Sequence, residues 1–344
     1  MNIYYLCPDE NAPCGGIMKI YQHVDILNKN GFSAFVLHHQ SGFRCNWFSN
    51  QTQLAYWRMP FYRRILRKIP YLKRGASKKI YFKGKQNARD LNESDYLVVP
   101  EIYTANIGNI SPGIKKVIFN QNVYYTFDQI PIERKTTQFP YHCSDVVGII
   151  TISDDNEAYL RHVFPEKRIF RIRHLSRRTD LFCYQAEKKK QICFMSRKHF
   201  QEARQVINIL KLRGVLNDFE IVEIDHKSLE ETAEIMQRSL VFLSFGYPEG
   251  NPLPPSEAML CGCIVIGYHG GGGKEYMRPE FSYPVEATDV IGFSKTVERV
   301  IAEWRKDPGI FVRKTLAAAS FIRENYSPEQ ESAELVQIWN TITQ

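Results

Sequence analysis

The stretch PEGNPLPPSEAMLCGC, residues 248–263, carries two carboxylates, Glu249 and Glu257, separated by seven residues rich in Gly and Pro. Glu249 falls in the loop after an apolar run, LVFLSF (240–245), and Glu257 is expected in the first turn of the helix that follows. Pro254 and Pro255 suit the start of that helix, and Gly262 suits its end. A helix beginning there turns main-chain N–H groups that lack intrahelical partners toward the loop, a setting that favours an anion such as a diphosphate. Carboxylates on either side can accept hydrogen bonds from sugar hydroxyls. Two glutamates at this spacing are common on any surface; the strand, loop, helix and next strand, CIVIGY (263–268), make the pattern specific.

The elements that must position this loop alternate along the chain. NIYYLCP (2–8) reads as a strand, Gly15 and Gly16 open a helix with Ile17, Ile20, Tyr21, Val24 and Leu27 on its apolar side, and FSAFVLHH (32–39) is the next strand. YLVVPE (96–101), KVIFNQN (116–122) and DVVGIITIS (145–153) are further strands. Continuous apolar runs of this kind suit parallel strands buried on both faces. The second half repeats the pattern: QICFMS (191–196), the helix EARQVINILKLRG (202–214), FEIVEID (219–225), and a helix opened by the capping box Ser228-x-x-Glu231. A last helix starts at Ser327-Pro328-Glu329-Gln330. The expectation is an α/β chain of two doubly wound domains. The first covers 1–180, the second 181–326, and 327–344 form a terminal helix. In such sheets ligands bind beyond the carboxyl ends of the strands. That selects the loops at 8–16, 100–103, 120–122, 196–199, 245–254 and 268–275.

Read as EGNPLPPSEAMLCGCIVI followed by GYHGGGGKEYM, the central motif resembles that of the retaining GT-B glycosyltransferases, family 4 in particular. Their signature is a Glu, seven residues and a Glu in a run like EGFGLPxxEAMACGxPVV. Glu249, Gly250, Leu253, Pro254, Glu257, Ala258, Met259, Cys261 and Gly262 all match it. The resemblance implies two Rossmann-like domains facing a cleft, with the terminal helix crossing back to the first. It implies that Glu249 contacts the donor sugar and Glu257 the ribose of the nucleotide, with the loop of Gly250, Asn251 and Leu253 against the donor. Gly15 and Gly16 then correspond to the glycine-rich loop that approaches the donor phosphates, since only glycine lets the backbone come that close. Arg197 and Lys198 follow the first strand of the second domain, where the family grips the diphosphate with cations. The family's Lys five or six residues later is missing, because positions 202 and 203 are Glu and Ala.

Other departures bear on catalysis. Pro252 removes one N–H from the donor loop, Gln121 and Asn122 stand where the family usually carries a His, and Arg178 replaces the usual acid in the sequence LSRR. Glu101, ending the strand 96–101, is expected at the cleft rim, where it meets the acceptor or is merely solvated. His38, His39, His142, His174 and His199 are scattered and read as packed or surface imidazoles. His269 with Gly270–Gly273 is expected to line the donor pocket. The Asp154-Asp155 pair after Ser153 reads as helix capping.

The net charge of +8 on 344 residues is local. Between Asp25 and Asp90 there is no Asp or Glu but 14 Lys and Arg, so the rest of the chain is net acidic. Most of these cations lie in 56–85, where they alternate with Tyr, Trp, Phe, Ile and Leu. Three readings compete for this basic segment: an anionic membrane surface, an acidic acceptor, or a solvated insertion. No nucleic-acid module accompanies the charge. The eight cysteines show no metal-ligand spacing, and no apolar run approaches a membrane span. The first residues, MNIYYLCPDE, do not read as a secretory signal.

The resemblance implies a metal-independent hexosyltransferase that needs no cofactor. It would move a sugar from a nucleotide-diphosphate donor to a hydroxyl of a polysaccharide or glycolipid acceptor, with retention. Its expected location is the cytoplasm, peripheral on the inner face of the cell membrane if the basic segment binds lipid. A nucleotide-sugar epimerase or hydrolase, and a non-catalytic sugar- or membrane-binding relative, are the alternatives.

Overall fold

The computed structural model describes residues 1–58, 85–86, 91–133, 139–173 and 180–344. Most of the basic segment, including Arg63, Arg64, Arg67 and Lys68, lies outside the described residues, as do His174 and Arg178.

The chain divides into two compact units. The first comprises Met1–Thr151, Glu157–Ile172 and Ser332–Gln344; the second comprises Ile152–Asn156 and Arg173–Glu331. In the first, strands β1 (Ile3–Leu6), β2 (Ala34–His38), β3 (Leu54–Arg58), β4 (Lys85–Gln86), β5 (Tyr96–Pro100), β6 (Lys115–Asn120), β7 (Val146–Thr151) and β8 (Ile169–Arg171) form one sheet. Its order is β4-β3-β2-β1-β5-β6-β7-β8, and every pairing is parallel except β3 with β4. The helix α1 (Gly15–Lys29) connects β1 to β2, and α2 begins as Asp154–Val163 after β7. Residues of β1 and β5 are buried throughout, which is why these strands read as unbroken apolar runs.

The second unit has a five-stranded parallel sheet of β9 (Lys189–Phe194), β10 (Glu220–Glu223), β11 (Ser239–Ser244), β12 (Ile264–Tyr268) and β13 (Tyr283–Val285), in the order β10-β9-β11-β12-β13. Between these strands lie α3 (Phe200–Leu212), α4 (Leu229–Arg238) and α5 (Leu253–Cys261). After β13 come α6 (Val290–Lys306), α7 (Pro308–Asn325) and α8 (Pro328–Thr343). The capping box that opens α4 is present, with Ser228 and Glu231 each accepting the other's main-chain N–H. β10 is an edge strand that begins and ends with an exposed glutamate, and charge there discourages further pairing.

Helix α8 starts as read from the sequence: the Ser327 hydroxyl accepts the N–H of Gln330. From Ser332 onward it belongs to the first unit, where Leu335 and Trp339 are fully buried. The Trp339 indole donates to the Tyr5 hydroxyl at 3.1 Å and meets the Tyr96 ring edge-on at 5.7 Å. The terminal helix is therefore an integral part of the first unit's core.

Both sheets contain a point where the strand order reverses direction from one central strand. In the first it lies between β1 and β5; in the second, between β9 and β11. Loops leaving the carboxyl ends of strands diverge there, leaving room for a ligand. In the first unit the loops concerned lead into Gly15 and Glu101; in the second they contain Lys198 and Glu249.

Candidate functional site

In the second unit the loops after β9 and β11 are joined across the strand-order reversal. Lys198 Nζ lies 2.6 Å from Glu249 Oε1, with both side chains partly exposed. One residue on, the His199 ring stacks flat on Tyr247, with centroids 4.0 Å apart and planes 7° from parallel. His199 Nε2 also donates to the Tyr247 carbonyl. The Tyr247 hydroxyl donates to Glu202 Oε1 at 2.7 Å, in α3. The Glu that replaces a lysine at 202 thus anchors the tyrosine next to the site. Arg197 is exposed on the same loop.

Glu249 is held by its backbone. Its N–H donates to Gly270 O at 2.7 Å, and its carbonyl accepts from Gly272 N at 3.1 Å, a one-residue parallel bridge to the tetraglycine loop. The glycines are a steric requirement: a Cβ on Gly272 would stand 1.8 Å from Gly250 O. Gly270, at φ +73°, lies in the left-handed region and its Cβ would be 2.9 Å from that of Glu249. The tetraglycine therefore shapes the Glu249 loop by close backbone approach. His269 sits at its head, half-buried, and its Nδ1 accepts the Gly271 N–H at 3.0 Å. Burial and the nearby Lys274 lower its pKa from the ordinary value, which favours the neutral ring.

Two sequence expectations for α5 need correction. The helix starts at Leu253, capped by Pro252, so Glu257 is its fifth residue and stands in the second turn, not the first. Glu257 is nearly buried there, as are its neighbours Ser256 and Ala258. The same start puts Pro254 and Pro255 at the second and third helical positions, so of the N–H groups that lack an intrahelical partner only that of Leu253 remains for an anion. Gly262 ends the helix in the left-handed conformation, at φ 87°.

The first unit gathers a second cluster at the ends of β1, β5 and β6. Gln121, just past β6, donates its side-chain amide to Gly16 O at 3.3 Å, and a Cβ on Gly16 would touch that amide at 3.2 Å. Its main-chain N–H donates to Glu101 Oε2 at 3.1 Å. Asn122 turns back on its own chain, its side chain accepting the Tyr124 N–H at 3.2 Å. Gly16, Gln121 and Glu101 are thus brought together, whereas Asn122 serves as a local cap. Glu101 was expected at an exposed rim. Instead β5 stops at Pro100, a 3-10 run (Glu101–Asn109) begins, and Glu101 is only 5% exposed.

Burial raises the Glu101 carboxyl from 4.5 to about 7, against the opposing pull of the N–H groups of Gln121, Glu101 itself and Asn122. For an acid whose folded pKa exceeds its unfolded value, stability is fullest below the unfolded pKa and is lost as pH rises through the folded one. Glu101 is therefore expected to cost the fold about 3 kcal/mol once pH exceeds 7. Glu101→Gln keeps an acceptor for Gln121 and cannot ionise. Melting temperatures at pH 5 and pH 8.5 should show the variant gaining on the wild type at the higher pH; parallel curves would refute the assignment.

Sequence reasoning passed over a further network here. His38, fully buried at the end of β2, has Nδ1 3.0 Å from Asp9 Oδ1 and Nε2 2.7 Å from the Tyr21 hydroxyl. Asp9 also accepts the N–H groups of His39 and Gln40, at 3.1 and 2.7 Å. Burial pushes the Asp9 carboxyl up, but the hydrogen bond and charge of His38 and the N–H of His39 outweigh it and hold it below its ordinary value. The network ties the loop after β1 to the loop after β2. Only proximity in the folded sheet reveals it, since Asp9 and His38 are 29 positions apart.

Among the described residues no group of three or more His, Cys, Asp or Glu side chains is placed to hold a metal ion. No helix among them is long and apolar enough to cross a membrane. All eight cysteines are free, and Cys14 is exposed.

Residues 218–314, which include Glu249, Glu257 and the tetraglycine, match the sequence model of the glycosyl transferases group 1. No curated protein matches the chain in sequence. Among solved structures, the chain is similar to a sucrose-phosphate synthase from Thermosynechococcus elongatus, at TM-score 0.66 and 12% identity, covering 99% of this chain and 98% of that one. It is similar to Anabaena HepE in complex with UDP, at TM-score 0.61 and 10% identity over the full length of both. A glycosyltransferase from Rickettsia africae matches at TM-score 0.55 and 12% identity, over 99% of this chain and 98% of that one. At these identities the likeness establishes the fold. The chain has the two-sheet GT-B fold, and residues 218–314 of its second unit match the model of the group 1 glycosyl transferases.

Proposed function

We propose that this protein transfers a sugar from a nucleotide-diphosphate sugar to a hydroxyl of a glycan or lipid-linked acceptor, with retention of configuration and without a metal. The observation that carries the reading is the Lys198–Glu249 pair, set across the strand-order reversal of the sheet that bears the group 1 segment. A carboxylate and a cation 2.6 Å apart can engage both ends of such a donor, the hydroxyls of the sugar and the diphosphate. The neighbours of the same fold include HepE bound to UDP and glucose, at TM-score 0.61, which supports a donor of that chemical class.

Glu249 would orient the sugar and Glu257 the ribose. The N–H groups of Gly250, Asn251 and Leu253 would meet the donor's oxygens. As the bond from the anomeric carbon to the phosphate oxygen breaks, negative charge builds on the leaving diphosphate. Arg197 and Lys198 would stabilise it, and stabilising charge that develops in the transition state is what accelerates the step. The acceptor oxygen would attack from the face the diphosphate is leaving, and the diphosphate would take its proton. That route accounts for retention without a protein nucleophile. In the first unit, Glu101, largely protonated below pH 7, would donate a hydrogen bond and not act as a strong base. Most of the basic segment lies outside the described residues, and the segment does not enter this reading.

Thermal-shift screening against UDP, GDP, TDP and ADP sugars tests the proposal, because a ligand that binds only the folded state raises apparent stability by mass action. At least one donor should raise the melting temperature and be consumed to its nucleoside diphosphate. Conversion of that donor into an isomeric nucleotide sugar, with no acceptor present, would point to an epimerase and against transfer.

A further inference from the structure

Glu249 has its main chain fixed by the tetraglycine, and the next carbonyl, Gly250 O, accepts from the Ser153 hydroxyl at 2.6 Å. Its carboxylate lies back along its own loop, since a Cβ on Gly246 would stand 3.3 Å from Oε1. One half of the Lys198–Glu249 pair is therefore set by the loop that carries it. The other half arrives from the loop after β9, where Lys198 is exposed and sits on a long, flexible stem. An ion pair this exposed is too weak to hold two loops in register.

The neighbouring His199 links them more firmly. Its main chain starts α3: its carbonyl accepts the Ala203 N–H at 3.1 Å, and its own N–H donates to Ser196 O at 2.9 Å. Its side chain makes no cap to that helix. The ring crosses instead to the loop after β11, where it stacks on Tyr247 and donates from Nε2 to the Tyr247 carbonyl. Tyr247 is held from two further sides. The buried Tyr268 of β12 meets it edge-on with centroids 5.3 Å apart, and Glu202 Oε1 accepts its hydroxyl at 2.7 Å. The same Glu202 oxygen lies 3.6 Å from His199 Nδ1. His199, Tyr247 and Glu202 thus close a triangle, with one corner next to Lys198 and another two residues before Glu249. A flat stack of two rings beside a hydrogen bond leaves the two loops little room to slide.

We propose that His199, Tyr247 and Glu202 are positioning residues that hold Lys198 in register with Glu249, so that the pair engages a nucleotide-diphosphate donor together. The inference rests on the nucleotide-sugar reading above and adds three residues that act through Lys198, not through contact with the donor. Once a diphosphate competes with Glu249 for the Lys198 ammonium, the direct ion pair no longer ties the loops. The triangle is made of other groups and keeps the spacing when that happens.

A double-mutant cycle on kcat/KM for the donor, paired with thermal melts, tests the proposal. It uses the full chain and whichever UDP, GDP, TDP or ADP sugar the wild type consumes. His199→Ala should lower kcat/KM by about tenfold or more, the cost of misplacing a group at the reacting centre by a fraction of an ångström to an ångström. In a Lys198→Ala background the same change should cost less than about twofold, because the residue it positions is gone. Equal losses in the two backgrounds, or a lowered melting temperature with kcat/KM unchanged, would make the triangle purely structural. Either result overturns the assignment and leaves the donor reading in place. If His199→Ala does not fold, Tyr247→Phe enters the same cycle and decides alone, since it keeps the ring and loses only the hydroxyl held by Glu202. Lys198→Ala as active as the wild type would take Lys198 out of the donor reading. Turnover of none of the four classes of sugar by the wild type would remove that reading altogether, and either outcome takes this inference with it.

Discussion

Glu249→Ala is expected to lower donor turnover by about 10²–10³-fold, the cost of removing one preorganised polar group from a transition state, while the protein stays folded. The backbone explains why these two effects separate. Glu249 is anchored by its N–H to Gly270 and by its carbonyl from Gly272, so the loop keeps its course whatever the side chain is. The lost ion pair with Lys198 is partly exposed, at 37% and 22%, and pairs of that kind contribute about 1 kcal/mol or less. Steady-state release of nucleoside diphosphate, alongside a thermal melt, checks both halves. Glu249→Gln should fall between, because it keeps an acceptor for a hydroxyl but loses the charge facing Lys198. Turnover in Glu249→Ala equal to that of the wild type would show that the carboxylate does not face the reacting sugar.

Gly272→Ala should be among the most damaging single methyl groups in the second unit. Its Cβ would stand 1.8 Å from Gly250 O and 2.5 Å from the Gly250 carbonyl carbon, and neither can rotate away because both are backbone. One of the two loops must move by more than an ångström. That movement breaks the Gly272–Glu249 bridge and pulls Gly250 off Ser153. We expect a stability loss of about 2–3 kcal/mol and donor affinity reduced at least tenfold. Gly273→Ala is the matched control. Its Cβ would meet the Pro252 ring at 3.1 Å and the Tyr276 hydroxyl at 3.3 Å, contacts that small side-chain shifts can relieve. Chemical denaturation and calorimetry on both variants separate the two cases. Equal effects at 272 and 273 would show that the tetraglycine is only a permissive turn.

The fold was legible wherever burial imposes a pattern. β1, β5, β11 and β12 are buried on both faces, so they appear as short unbroken apolar runs that no amphipathic helix would show. Ser228-x-x-Glu231 and Ser327 announce helix starts because a side-chain acceptor must satisfy the first N–H groups locally. β8 and β13, each three residues long, carry too little pattern to be read. Helix α6 was readable in principle, since Phe293, Val297, Val300 and Ile301 recur at helical spacing and all are buried.

The site was legible in part for a related reason. Glu249, Gly250 and Glu257 lie within one strand–loop–helix unit, so their grouping is local and spacing reveals it. Lys198 and Ser153 reach the same loop from 51 and 97 positions away along the chain, through contacts set only by strand order and packing. Glu101 shows a different limit. Its place at a strand end was clear, but the turn after Pro100 that buries it depends on the 3-10 run packing under Gln121. Spacing can nominate a carboxylate; burial decides whether it is charged.

The most direct test of the account follows the anomeric proton of the donor sugar by NMR during turnover by the wild-type protein. The donor is the nucleotide sugar that raises its melting temperature, offered with a panel of glycan acceptors. The account expects nucleoside diphosphate and glycoside to form in equal amounts, with the anomeric configuration of the donor kept in the product. A product of inverted configuration, or no nucleoside diphosphate from any UDP, GDP, TDP or ADP sugar, would contradict it.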